Sequence, residues 1–167
     1  MMPAAPSIAE LNSLDRAAFV ARFGGVYEQS PWVAEEAWKQ RPFAEADALE
    51  RALQEVVRRA GRERQLELLR AHPRLGTRLA LSGYSQAEQA GAGLEGLTAA
   101  ERSELETLND QYERKFGFPF IFAVRNANLR AILGSCRQRI GADAGTEFDE
   151  SLCQVFRIAA FRLADLR

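Results

Sequence analysis

The chain has 167 residues and a formal net charge of -1 at neutral pH, with 47% hydrophobic and 27% charged residues. A chain of this length forms one domain whose core needs no covalent staple, and this composition excludes wholesale disorder. The charge balance lacks the basic excess of a nucleic-acid binder, and the longest apolar run, 118–124, falls far short of a membrane span.

No basic n-region followed by an apolar stretch opens the chain, and Asp165-Leu166-Arg167 matches no peroxisomal or lipidation signal. A cytoplasmic protein that engages neither membrane nor nucleic acid is expected. No segment shows strand-length period-two alternation flanked by turn signals, so the pattern reads as helical throughout.

Ser13 is a candidate cap for a helix running to about Phe23, stopped by Gly24-Gly25. Ser30-Pro31 reads as an N-cap followed by Pro at the first helical position, opening a helix that stops near Arg41-Pro42. Residues 45–60 place Leu49, Leu53, Val56 and Val57 on one stripe, and Gly61 ends that helix. Arg62 to Arg70 follows with Leu66 and Leu69 inward, and Pro73 disfavours helical geometry at His72. Another short helix is expected from Ser85. Thr98 with Glu101 forms a capping box for a long helix closed by Gly117. The segment Phe118 to Val124 is apolar and aperiodic, and Pro119 argues against a central strand, so it reads as a buried extended connector. Helices over Asn126–Ile140 and Thr146 to about Leu166 complete the chain. The last one presents Phe148, Leu152, Val155, Phe156, Ala159 and Leu163 to the core. The expected architecture is all-α, one compact domain over 1–167 with about seven or eight helices.

Few residues are suited to chemistry. Cys136 and Cys153 lie in different helices without a CxxC motif, and both read as buried thiols. One histidine, His72, cannot by itself build a two-histidine zinc site, and no GxSxG elbow accompanies it. Its imidazole suits general acid or base work, although a helix-terminal His can equally interact with free carbonyls and the C-terminal dipole. Ser85, Glu88 and Gln89 share one helical face, where a hydroxyl, a carboxylate and an amide would suit a small substrate rich in hydrogen-bonding groups. Ser-x-x-Glu is also a capping box, which accounts for Ser85 and Glu88 but not for Gln89. A buried connector has backbone groups that need partners, and a polar ligand is one candidate. Arg162, set between Phe161 and Leu163, is placed to meet an anion with its bidentate fork.

In this order, the strings His72-Pro73-x-Leu75, Ser85-x-x-Glu88-Gln89, Ala92-Gly93-Leu94, Leu108-Asn109-x-x-Tyr112, Lys115-Phe116-Gly117-Phe118-Pro119-Phe120 and Arg162-Leu163-x-x-Leu166 resemble one family. That family is 2-oxo-4-hydroxy-4-carboxy-5-ureidoimidazoline (OHCU) decarboxylase, which converts its substrate to (S)-allantoin in urate degradation. The resemblance implies an all-helical homodimer that acts on a small molecule with no metal or organic cofactor. It also implies functional coupling to 5-hydroxyisourate hydrolase. It assigns catalysis to His72 and Glu88. Substrate binding falls to Pro73, Ser85, Gln89 and Arg162, and to the connector around Ile121, Phe122, Ala123 and Arg125. Two departures stand out. Arg74 replaces a usual acidic residue after His-Pro, and Phe122 replaces a smaller aliphatic residue. The competing readings are a non-enzymatic helical interaction module and a cofactor-free cyclic-ureide hydrolase using the same His–Glu pair.

Overall fold

A computed structural model describes residues 6–76 and 83–166. The described residues form nine α-helices and no strand. These are α1 (Ile8–Ser13), α2 (Arg16–Phe23), α3 (Trp32–Trp38), α4 (Ala46–Arg59), α5 (Arg62–Arg70), α6 (Gly83–Gly91), α7 (Ala99–Phe116), α8 (Leu129–Ile140) and α9 (Ala144–Asp165). The all-α expectation holds. The helix number rises because the N-terminal segment folds as two helices. They group into two compact units, residues 1–68 with 156–167, and residues 69–155.

In the first unit, Ser7 rather than Ser13 supplies a full capping box with Glu10. Ser13 instead ends α1, its hydroxyl donating to the Glu10 carbonyl, and Asp15 caps α2. Local side-chain bonds of this kind compete for the same backbone groups, so closely spaced Ser and Asp residues leave several possible starts. Phe19, Phe23 and Phe43 are buried, with Phe19 packed against both other rings. Each such side chain contributes about 1.5–3 kcal/mol on leaving water. Asn12 exchanges two hydrogen bonds with the backbone of Phe43, at 2.9 and 2.8 Å. Arg41 lies over the Trp38 ring and donates to the carbonyls of Asn12 and Leu14, which α1 leaves without helical partners.

α3 begins after Ser30-Pro31 as expected, but the Ser30 hydroxyl donates to the Glu28 carbonyl and does not cap the helix. It also stops earlier than expected, at Trp38. α4 matches its expected span, with Ala52 buried beside Leu49, Leu53 and Val57 while Val56 is half-buried. In α5 the fully buried pair is Leu68 and Leu69, and Leu66 is half-buried.

In the second unit, Thr98 and Glu101 close the expected box on α7, and Gly117 ends it at φ +80, a conformation that glycine adopts without a Cβ clash. Residues 118–124 form the non-helical connector, with Phe118, Phe120, Ile121 and Val124 buried. Phe118 meets Tyr112 and Phe148 edge-on. α8 starts at Leu129, later than the expected Asn126, because Asn126 adopts φ +63 and Asn128 supplies the cap to Ala131. Cys136 is buried and Cys153 exposed, which corrects the reading of both as buried. Leu152 and Phe156 of α9 are half-buried, and much of that helix's inward face is polar. No helix among the described residues is long and apolar enough to cross a membrane.

Candidate active site

α5 ends at Arg70, and the His72 N–H closes its last turn on the Leu69 carbonyl at 3.3 Å. His72 is buried, 7% exposed, in the non-helical segment that follows α5. That loop is fastened by side chains from two helices. From α6, Gln89 accepts the Gly76 N–H at 2.9 Å. From α7, Arg102 donates to the Gly76 carbonyl at 2.7 Å and Asn109 to the Leu75 carbonyl at 3.0 Å. Gly76 has φ +77, a conformation that favours glycine, and a Cβ there would lie 2.5 Å from a methyl of Leu105, which would have to shift. A hollow of about 150 Å³ opens beside the loop, lined in part by Arg74, Gly76, Arg102 and Asn109.

Arg74 also anchors this loop. Its guanidinium forks onto Glu113 at 2.8 Å through Nε and again through Nη2, and Nη2 meets Asp110 at 2.5 Å. The hydrogen bond from Arg74 holds the Asp110 carboxyl below the usual range, and its bond to Glu113 raises the guanidinium further. The unusual cation after His-Pro is thus matched by carboxylates on α7.

α6 begins at Gly83, so Ser85 lies inside the helix and not at its N-cap. The capping-box explanation of Ser85 and Glu88 therefore fails here, whereas true boxes stand at Ser7–Glu10 and Thr98–Glu101. Ser85 and Gln89 are buried and Glu88 is half-buried. Gln89 fixes the loop that follows His72, a role that spacing alone does not reveal. The helix already includes Gly83 and Tyr84, so it does not start at Ser85 as expected; Ser82, the residue before Gly83, lies outside the described residues.

The connector is held from α8 and α9. The Ile121 carbonyl accepts from Arg139 Nη1 at 2.7 Å, and the Ala123 N–H donates to Gln154 Oε1 at 3.0 Å. Arg139 also pairs with Glu147 at 2.5 Å and donates to Ser151 at 3.2 Å. Tyr112 donates its hydroxyl to the same Glu147 carboxylate. Burial and Glu147 together push the Tyr112 phenol well above its ordinary value. Sequence reasoning missed Arg139, Glu147, Ser151 and Gln154. The available signal was the i, i+4, i+7 spacing of Glu147, Ser151 and Gln154, which aligns three polar groups on one helical face.

Of the remaining sequence-based assignments, Pro73 follows His72 in the fastened loop, and Phe122, Ala123 and Arg125 are half-buried in or just after the connector. Arg162 is 1% exposed. It pairs with an equally buried Glu28 at 2.9 Å and donates to the Gly25 carbonyl at 3.2 Å.

The model of the family described as OHCU decarboxylase matches residues 12–164. The chain belongs to the OHCU decarboxylase family. A relative from Halalkalicoccus jeotgali, named 2-oxo-4-hydroxy-4-carboxy-5-ureidoimidazoline decarboxylase, is 44% identical over 160 residues, covering 96% of this chain and 91% of the relative. The Bacillus subtilis uric acid degradation bifunctional protein PucL is 40% identical over 157 residues, 94% of this chain but 32% of that protein. Among solved structures, a crystal structure of (S)-allantoin synthase superposes with a TM-score of 0.77 at 32% identity, covering 95% of this chain and 53% of that one. The OHCU decarboxylase match thus includes the His72 loop, α6 and the connector.

Proposed function

We propose that this chain decarboxylates OHCU to (S)-allantoin in urate degradation, with His72 and Glu88 as the acid–base pair. The observation that carries this reading is the family match over residues 12–164. Its support from local geometry is the fastened His72 loop and the exclusion of Ser85 from a capping role.

The substrate carries a carboxylate and a hydroxyl on one ring carbon, beside an imine carbon bearing the ureido group. When the C–C bond to the carboxylate breaks, CO2 departs and the bonding electrons pass into the imine, whose nitrogen takes up a proton. The resulting enol-like intermediate loses its hydroxyl proton and gains one at the ureido-bearing carbon, giving the ring amide carbonyl of allantoin. The substrate serves as its own electron sink, so the protein's work is orientation and charge stabilisation. His72 manages the hydroxyl proton, assisted by Glu88. Ser85, Gln89, Pro73 and the connector bind the ureido and ring groups. Arg162 keeps its sequence-based assignment to an anionic or carbonyl oxygen. A homodimer in the cytoplasm is the expected form. Functional coupling to another step of uric acid degradation is supported by the similarity to a bifunctional protein of that process, and 5-hydroxyisourate hydrolase is the expected partner.

The deciding experiment generates OHCU in situ from urate and follows circular dichroism. Fast growth of the (S)-allantoin signal, lost in folded Glu88→Gln, is expected. Decay at the spontaneous rate to racemic product in the presence of folded protein would overturn the reading. Hydrolysis without release of CO2 would instead favour a cyclic-ureide hydrolase.

A further inference from the structure

The connector's hydrogen bonds distinguish one of its edges from the other. In extended backbone, the N–H and C=O of alternate residues point to the same edge, and side chains of residues two apart share a face. The Phe120 and Phe122 rings stack at 6.1 Å with an interplanar angle of 22°, which sets both side chains on one face, as in extended backbone. The guanidinium of Arg139 lies 4.6 Å from the centre of the Phe120 ring. Along the edge facing α8 and α9, Arg139 takes the Ile121 carbonyl and Gln154 takes the Ala123 N–H. The opposite edge carries the amides of Phe120 and Phe122. Phe120 is buried and Phe122 is half-buried. Among the described residues no hydrogen bond is made to the Phe122 N–H or C=O.

Gln154 is held in one orientation. Its Nε2 donates to Glu150 Oε1 at 2.8 Å, which leaves Oε1 for the Ala123 N–H. A flipped amide would set a donor against a donor and an acceptor against a carboxylate. Arg139 is fixed likewise, with Glu147 and Ser151 holding the rest of its fork.

We infer that Arg139 and Gln154 are positioning residues. By occupying one edge of the connector, they present the Phe122 N–H and C=O as a donor–acceptor pair to the ureido group, which offers a complementary carbonyl and N–H. This inference rests on the decarboxylase reading and narrows the connector's role to one residue's backbone. Ile121 and Ala123 then act through their internal bonds, not through contact with substrate.

Gln154 gives the cleaner test, because removing Arg139 would strand a buried carboxylate. In Gln154→Met the acceptor is lost while the side-chain volume is kept. The expected result is a rise of about tenfold in KM for OHCU with kcat within about twofold, the signature of lost uniform binding. The double variant E150Q/Q154E exchanges the two groups at constant net charge and restores an acceptor to Ala123, and it is expected to recover KM. A folded Gln154→Met with wild-type KM, or a double variant no better than the single one, would overturn the inference. In the wild type, added (S)-allantoin should shift the 15N-resolved amide of Phe122 more than that of Ala123, and the reverse order would also overturn it. Wild-type protein that fails to turn over OHCU would instead defeat the decarboxylase reading, and the amide titration separates the two failures.

Discussion

Two buried arginine–carboxylate pairs, one in each unit, hold different parts of the backbone. Arg162 and Glu28 are each 1% exposed, and the arginine also donates to the Gly25 carbonyl. Arg139 and Glu147 are comparably buried, but their pair continues into Tyr112, Ser151 and the Ile121 carbonyl. A buried pair contributes little net stability over a well-packed apolar replacement, yet breaking it leaves a charge without compensation. Arg139→Met and Arg162→Met should therefore each cost about 3–5 kcal/mol, read by chemical denaturation. The apolar double replacements should separate the two. R162M/E28L is expected to regain part of its loss, with the Gly25 carbonyl left without its arginine donor. R139M/E147L is expected to regain less, because the connector carbonyl loses its donor while Tyr112 and Ser151 keep only each other. Equal recovery in both would show that the wider network carries no weight beyond its central pair.

The next largest effects fall on turnover. His72→Ala and Glu88→Gln should each lower kcat by about two orders of magnitude or more, the range of a lost general acid or base. Their thermal midpoints should stay close to wild type, in contrast to the arginine variants. A variant that keeps its fold and its rate would remove that residue from the acid–base pair.

The same contrast explains what could be read from the sequence. Local signals were legible where one residue type answers one backbone need. Thr98 with Glu101 opens α7, Gly117 closes it, and the bounds of α4 and α5 follow their apolar periods. The ordered motifs singled out His72, Ser85, Glu88 and Gln89. Periodicity missed the clamp on the connector, because it assigns polar residues to solvent. Glu147, Ser151 and Gln154 turn inward together with Arg139 because they satisfy one another and the backbone of a non-helical segment. Partners that lie far apart in the chain leave no periodic trace. The start of α6 was misread for a related reason, since Ser-x-x-Glu has the same spelling inside a helix as at its cap.

Arg74 offers a smaller test of how the His72 loop is held. It and both its partners are partly solvent-exposed, so Arg74→Ala should change kcat/KM by less than about fivefold, in keeping with a screened ion pair. Because Arg74 depresses the Asp110 carboxyl, the pair stabilises the folded chain above the ordinary aspartate pKa and loses that effect as pH falls through the lowered value. Wild type and Arg74→Ala should thus converge in stability at acid pH. A gap that persists there would mean that Arg74 acts through packing and not through charge.

The thiols give the smallest effect, and they contrast a buried group with an exposed one. Burial pushes the Cys136 thiol from 9.0 up to about 11, whereas Cys153 is exposed. A thiol-specific reagent at neutral pH should modify Cys153 in the native chain and reach Cys136 only on unfolding, because the thiolate is the reactive form and Cys136 is both protonated and enclosed. Raising the pH has a definite sign here. The unfolded chain releases the Cys136 proton near its ordinary pKa while the folded chain retains it until about pH 11, so this group lowers stability across that interval. Cys136→Ala should remove that alkaline loss while introducing a small cavity cost at neutral pH. Equal labelling of both thiols under native conditions would place Cys136 in an opening region of α8 and not in a closed core.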